Sequence, residues 1–281
     1  MALQPTYIIE EKSSIIHTER EIVCSILFGR NYISYAFSNP ERDTIFMVKH
    51  FDLLNNVLGK SDFDEMLFDL FIKKASSVRL AIDSQKITLL PASAFKNKEV
   101  DMLSLIYQIW PEEEIYIRHN KDQYIAQYAL KKATIDFLKK RMPQLEIVDS
   151  TFPLLQSYPK QCLHDTEWNL FIAVKEEHFY FSVYQKPDQL KIHQVCNYQK
   201  AEDVLFVIAQ FVKLQQLDPD KIGVQVHGEL GRTQSILDLL KKYYPFTRQI
   251  SRIKSLLYPE GLYAHPSHYF FNIFSLVTCE L

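Results

Sequence analysis

Glycine is scarce, with 6 in 281 residues, so the chain has little material for glycine-rich ligand loops that depend on positive φ or close backbone approach. Cysteine is sparse as well. Cys24, Cys162, Cys196 and Cys279 lie far apart with no Cys-x-x-Cys pair, so neither a metal knuckle nor a disulfide framework can be read. Buried free thiols in a reducing cytoplasm are the expectation. Neither sign of charge dominates: the formal net charge is -2 and no long run of Lys and Arg occurs. The positive footprint of a duplex-binding protein is therefore missing. Lys131-Lys132 and Lys139-Lys140-Arg141 form one basic cluster, but they flank Ala133, Ile135, Phe137 and Leu138. They read as the solvated face of an amphipathic helix rather than a nucleic-acid contact.

Long apolar runs are missing too. Gly261 to Cys279 carries no formal charge, yet it is interrupted by His265, Pro266, His268 and Asn272. It falls short of the ~20 consecutive apolar residues that a spanning helix needs. Its end, Tyr269 to Thr278, is rich in Phe, Ile and Val and reads as a buried strand. Met1 to Glu10 lacks the basic start and apolar core of a secretory signal. A soluble, cytoplasmic protein with no membrane partner is expected.

What is present is a globular composition, 47% hydrophobic and 23% charged, with 19 Phe and 16 Tyr for aromatic-rich strands and cores. It carries one pattern written twice. Glu21 to Ile82 and Trp168 to Val226 each read strand, tight turn, strand, strand, helix, strand. In the first, Ile22, Cys24 and Ile26 share a face, Gly29-Arg30 forms a two-residue hairpin turn, and Ile33, Tyr35 and Phe37 return. After the break at Asn39-Pro40, Thr44 to Phe51 supplies a third strand. Ser61 caps a helix carrying Phe63, Met66, Leu67, Leu70 and Phe71, and Val78 to Ile82 closes the unit. In the second, Trp168 to Val174 and His178 to Tyr184 flank a turn at Lys175 to Glu177, and Leu190 to Tyr198 follows. Glu202 to Gln216 is apolar almost all round and is expected to be packed on both sides. Ile222 to Val226 is a strand, Ser235 to Tyr244 a helix and Phe246 to Ile250 a strand. Between the repeats, helix is expected at Val100 to Trp110 and Lys131 to Arg141. Strands are expected at Ile115 to Arg118, Tyr124 to Tyr128 and Leu145 to Val148, and Thr151 to Pro159 forms the junction.

Three antiparallel strands, then helix, strand, helix and strand, make the ribonuclease-H-like unit. Two in tandem resemble the actin-like ATPase fold of actin, sugar kinases, heat-shock chaperones and pilus-assembly proteins. Through the hairpin CSILFGRNYISYAF, the strand-turn IGVQVHGELG and the tail SLVTCEL, nearly the whole chain resembles an uncharacterised Bacteroidetes family assigned that fold. The resemblance implies an α/β protein of duplicated ribonuclease-H-like units, with mixed five-stranded sheets and flanking helices. Residues 1–160 would form the first half and 161–281 the second.

The resemblance also implies where nucleotide would bind. In that superfold two hairpin turns handle phosphate and magnesium, each with an Asp, a Gly and small hydroxyl residues. Here the first turn, Phe28-Gly29-Arg30-Asn31, has no carboxylate. The second, Val174-Lys175-Glu176-Glu177-His178, has no glycine and sets two glutamates where phosphate would sit. Gly228-Glu229-Leu230-Gly231 occupies the adenosine-contacting turn, where ordinary turn formation is the better explanation of the glycines. The nucleotide-binding candidates are thus Gly29, Arg30, Lys175, Gly228, Glu229 and Gly231, and hydrolysis is not expected.

Elsewhere, His265-x-x-His268 has ligand-like spacing on a helix, but Pro266 breaks the helix and no third ligand is near. Glu112-Glu113-Glu114 reads as an acidic loop or helix start. Asp62, Asp64, Glu65 and Asp69 are scattered by helical spacing, and no Ser, Cys or His triad is evident. No catalytic residue, metal site or cofactor is assigned. The expected function is that of a non-catalytic actin-like binding or scaffolding protein. Its partner would be another protein, docked between the halves or on an exposed sheet edge. The alternative is a divergent ATP-binding enzyme or phosphotransferase with a rebuilt phosphate site.

Overall fold

The computed structural model describes residues 5–10, 21–29, 31–53, 72, 74–95, 101–120, 123–187, 189–228 and 232–280. The helix expected after Ser61 lies outside the described residues. The chain divides into two compact units. One comprises Met1–Pro153, Lys254–His265 and Ile273–Leu281; the other comprises Leu154–Ile253 and Pro266–Asn272.

The first unit holds a six-stranded sheet ordered β1-β4-β3-β2-β5-β9. Its strands are β1 (Tyr7–Glu10), β2 (Val23–Phe28), β3 (Tyr32–Asn39), β4 (Thr44–Asp52), β5 (Ser77–Ile82) and β9 (Leu145–Asp149). The hairpins β2-β3 and β3-β4 are antiparallel, whereas β5 and β9 run parallel to β2, so the carboxyl ends of β2, β5 and β9 lie side by side. Val23 to Leu27 are all buried, because β2 is covered on both faces and its alternation is filled in by apolar residues. The hairpin turn sits one residue later than expected: Phe28 pairs with Ile33, and the Gly29 N–H donates to the Tyr32 carbonyl at 3.0 Å. Among the described glycines only Gly228 has a positive φ. A three-stranded antiparallel sheet, β6-β8-β7, is inserted between β5 and β9; its strands are β6 (Ile87–Pro91), β7 (Glu113–Asn120) and β8 (Tyr124–Lys131).

Two expectations are corrected here. Of the helix expected at Val100 to Trp110, only the turn α1 (Leu103–Ile106) is helical, and the chain turns through Pro111 into β7, longer than foreseen. The amphipathic helix α2 (Lys132–Arg141) forms as read, burying Ile135 and Leu138. The junction is helical: Asp149 accepts the Thr151 N–H at 2.7 Å and opens α3 (Thr151–Ser157). Tyr269 to Thr278 is no strand but contains α6 (Phe271–Val277). An unbroken apolar run carries no period that separates a buried strand from a buried helix.

The second unit is a five-stranded sheet, β12-β11-β10-β13-β14, of β10 (Trp168–Val174), β11 (His178–Gln185), β12 (Leu190–Asn197), β13 (Ile222–Gly228) and β14 (Phe246–Gln249). One face packs Leu170, Ile172, Phe181, Val224 and Val226 against α4 (Ala201–Leu214) and α5 (Arg232–Leu240). At the start of α4 the Asp203 carboxylate accepts the N–H groups of Gln199 and Lys200 at 2.9 and 3.1 Å, two donors the helix cannot satisfy itself. The helix buries Val204, Ile208, Phe211 and Val212 but leaves Phe206 61% and Leu214 78% exposed, so it is packed on one side rather than both. Among the described residues no helix is long and apolar enough to cross a membrane.

Candidate functional site

Alternation along β3 and β4 sets Ser34 beside His50, its register partner. Ser34 Oγ lies 2.6 Å from His50 Nδ1, and His50 Nε2 lies 3.2 Å from Asp52 Oδ1, a Ser–His–Asp chain that spacing alone did not reveal. The signal was available in the pairing of Ser34 with His50 across a hairpin and the i, i+2 spacing of His50 and Asp52 on one strand face. It does not make a nucleophile. Ser34 is buried, and burial lowers the His50 pKa against the opposing pull of Asp52. His50 is stacked on Tyr32, with ring centroids 5.4 Å apart, and Tyr7 lies beside it at 5.9 Å. Tyr32 also lies over Gly29, so a β-carbon at Gly29 would run into that ring. A side chain at the glycine of the first turn would have to displace the Tyr32 ring. Arg30, its neighbour, lies outside the described residues.

The parallel strands β5 and β9 end together, Ile82 opposite Asp149. Asp83 and Asp149, each followed by a serine, meet at their carboxyl ends, the edge where open α/β sheets gather functional groups. Asp149 is fully buried and accepts the Ser84 and Thr151 N–H groups at 3.0 and 2.7 Å. Burial pushes its pKa up to about 7, Asp83 adds to the rise, and the bonds from Thr151 and Ser84 oppose it. Ser150 donates its hydroxyl to Asp83. The repeated Asp-Ser after an apolar strand (Ile82-Asp83-Ser84 and Val148-Asp149-Ser150) is the signal that marks this pair in the sequence. With both Asp149 oxygens held by backbone donors, the carboxyl serves as a clamp joining two strand ends.

In the second unit, β10 and β13 pair through Val174 and Gly228, bringing two expected site residues, Lys175 and Gly228, to one sheet edge. Gly228 has φ +121°, and a β-carbon there would strike the Val174 backbone. Its glycine answers to strand packing. Lys175 is 2% exposed; its N–H donates to the His178 carbonyl at 2.9 Å and its carbonyl accepts the Tyr198 hydroxyl at 2.6 Å. The ammonium lies 5.9 Å from the Tyr180 ring centroid, inside the protein. Ala173, the register partner of both Tyr180 and His227, leaves room between these larger side chains. His227 Nε2 is 2.8 Å from the Tyr158 hydroxyl, and Tyr158 stacks on Phe171 with centroids 4.2 Å apart. Burial first, then the Lys175 charge and His268, hold the His227 pKa well below the usual value, with Asn272 opposing. These side chains form a buried polar layer on one face of the sheet. Arg232 donates to the Glu176 carbonyl and ties the turn to the start of α5. Glu229 and Gly231 lie outside the described residues.

The remaining candidates separate. His265 meets Tyr7 edge-on at 5.3 Å in the first unit, and His268 is buried in the second. Glu113 is bound to Lys86 at 2.6 Å and accepts the Trp110 N–H at 2.8 Å, a structural use of the acidic run. Among the described residues no group of three or more His, Cys, Asp or Glu side chains could hold a metal.

This chain is similar to a Bacteroides thetaiotaomicron protein with an actin-like ATPase fold and unknown function: 14% identity, 95% of this chain and 99% of that one covered, TM-score 0.76. It is also similar to a chain of the PilM–PilN type IV pilus biogenesis complex: 9% identity, 92% and 98% covered, TM-score 0.59. No curated protein matches it. The fold is that of the actin-like ATPases, mixed sheets with flanking helices. Residues 11–246 match DUF3822, a protein family of unknown function, and the chain belongs to that family.

Proposed function

We propose that this protein is a non-catalytic actin-like binding or scaffolding module whose partner is another protein. The enclosure of Lys175 carries the reading. The one cation of the second turn lies beneath Tyr180 and beside a neutral histidine, spent on the interior of its own unit rather than held out to a phosphate. The tyrosine over Gly29 supports it, since a turn that cradles phosphate needs open backbone N–H groups. PilM, a protein of the same fold, occurs in a complex with PilN, an instance of this scaffold in a protein assembly.

Thermal unfolding with and without millimolar Mg-ATP and Mg-ADP tests the proposal. A ligand present at about 100 times its dissociation constant stabilises the native state by ~2.7 kcal/mol, a midpoint shift of a few degrees in a protein of this size. The expected result is no shift. A magnesium-dependent rise would overturn the proposal in favour of a rebuilt phosphate site and an ATP-binding enzyme.

A further inference from the structure

The small sheet β6-β8-β7 ends in an open strand. Glu113 pairs with Lys131, and the Lys132 N–H donates to the Glu112 carbonyl at 2.9 Å, which makes residues 112 and 132 a hydrogen-bonded pair. Antiparallel ladders alternate, so Glu114, Tyr116 and Arg118 turn their backbone groups toward β8, while Ile115, Ile117 and His119 turn theirs away. Among the described residues no backbone bond reaches those three outward positions.

The other edges are shorter, capped or differently charged. Strands β1 and β14 have 4 residues each. On β9 the Ile147 carbonyl is taken by the Arg118 guanidinium at 3.3 Å, and β6 ends in Pro91. Strand β12 is as long as β7, but Leu190 to Asn197 contains one charged residue, Lys191, and no acid to oppose it. Strand β7 is different because its sequence complements itself. About Tyr116, Ile115 mirrors Ile117 and Glu114 mirrors Arg118, an acid against a base.

We propose that β7 pairs antiparallel with β7 of a second copy about a two-fold axis at Tyr116, giving one continuous six-stranded sheet. In that register Ile115 lies opposite Ile117 of the second copy, at the hydrogen-bonded positions. Glu114 lies opposite Arg118 at the non-bonded positions, where side chains come closest. Residue i meets j and j meets i, as a two-fold interface requires. Glu114 accepts one bond from the Tyr116 hydroxyl and Arg118 gives one N–H to Ile147, so each retains capacity for the other. The flank supplies apolar surface. Gln127, the register partner of Ile117, accepts the Met102 and Leu103 N–H groups at 3.0 and 3.1 Å, binding the α1 segment to that face. From this segment Leu105 is 75% exposed and Ile106 57% exposed. One strand pair with its flanking side chains is a small interface, so association is expected in the micromolar range. The inference is independent of whether nucleotide binds.

Sedimentation equilibrium of the full chain from about 1 to 200 μM reads the association directly. The expected result is a monomer–dimer equilibrium. Ile117→Pro removes an outward N–H and no bond of the β7-β8 ladder, and is expected to weaken the dimer at least tenfold with unchanged circular dichroism. Glu114→Arg sets like charges opposite each other and is expected to do the same. Adding Arg118→Glu to it restores opposed charges and is expected to recover association. A wild-type monomer throughout the range would overturn the proposal and leave the edge to a different partner. So would a dimer that neither Ile117→Pro nor Glu114→Arg weakens, or a double variant that stays monomeric.

Discussion

Asp149 closes β9 with both oxygens on backbone N–H groups, yet burial and Asp83 raise its pKa from 3.8 to about 7. Because the folded value exceeds the unfolded one, the native state holds more protons between those two pH values. The contribution of Asp149 therefore favours the fold at low pH and is lost as pH rises through 7. His193 acts oppositely: burial lowers its pKa from 6.5 to about 3, so the unfolded chain takes the proton and stability falls as pH drops below 6.5. The two partly cancel across the acidic range. Asp149→Asn removes one side of that balance. Between pH 5 and 8 the variant is expected to gain about 2 kcal/mol of unfolding free energy relative to wild type, read from urea titrations at each pH. Parallel curves for the two proteins would mean that Asp149 ionises as an ordinary carboxyl.

Strands written as alternation were legible in the sequence, and hairpins β2-β3 and β10-β11 form where Ile33, Tyr35 and Phe37, and His178 to Tyr184, placed them. What alternation could not convey was the second buried face. Lys175, Ser182, Gln225 and His227 are all buried polar residues under the second sheet, and in sequence they look like the solvent side of each strand. Their enclosure depends on covering groups such as Tyr158 and Phe271, which approach from distant parts of the chain. Helix α6 was read as strand for a related reason: its seven residues are apolar on nearly every side, and only packing decides their period. The turn at Gly228 was legible as a glycine turn, but its cause is the backbone of β10. Gly228→Ala is expected to cost about 1–3 kcal/mol, seen as a lowered urea midpoint at constant m-value, because φ +121° and the Val174 backbone both resist a side chain.

At the scale of the molecule, the duplicated design is intact. In each unit an antiparallel set containing two consecutive hairpins is joined to parallel strands. The proposed scaffold role predicts a melting curve that nucleotide does not move. The units differ in how the chain supplies them. Residues around β4 bond to Leu257, with the Ile45 N–H on its carbonyl at 2.9 Å and its own N–H on the Asp43 carbonyl at 2.8 Å. Arg79 of β5 reaches the carbonyls of Val277 and Cys279 at 3.1 and 3.2 Å, 198 and 200 positions away. On the ribosome, where N-terminal domains ordinarily fold first, the order should be reversed. The second unit is nearly complete at Ile253, while the first still lacks Lys254–His265 and Ile273–Leu281. Nascent chains stalled with Ile253 clear of the exit tunnel are expected to show protease-resistant Leu154–Ile253 beside a digestible beginning, so the earliest residues made are among the last to be protected.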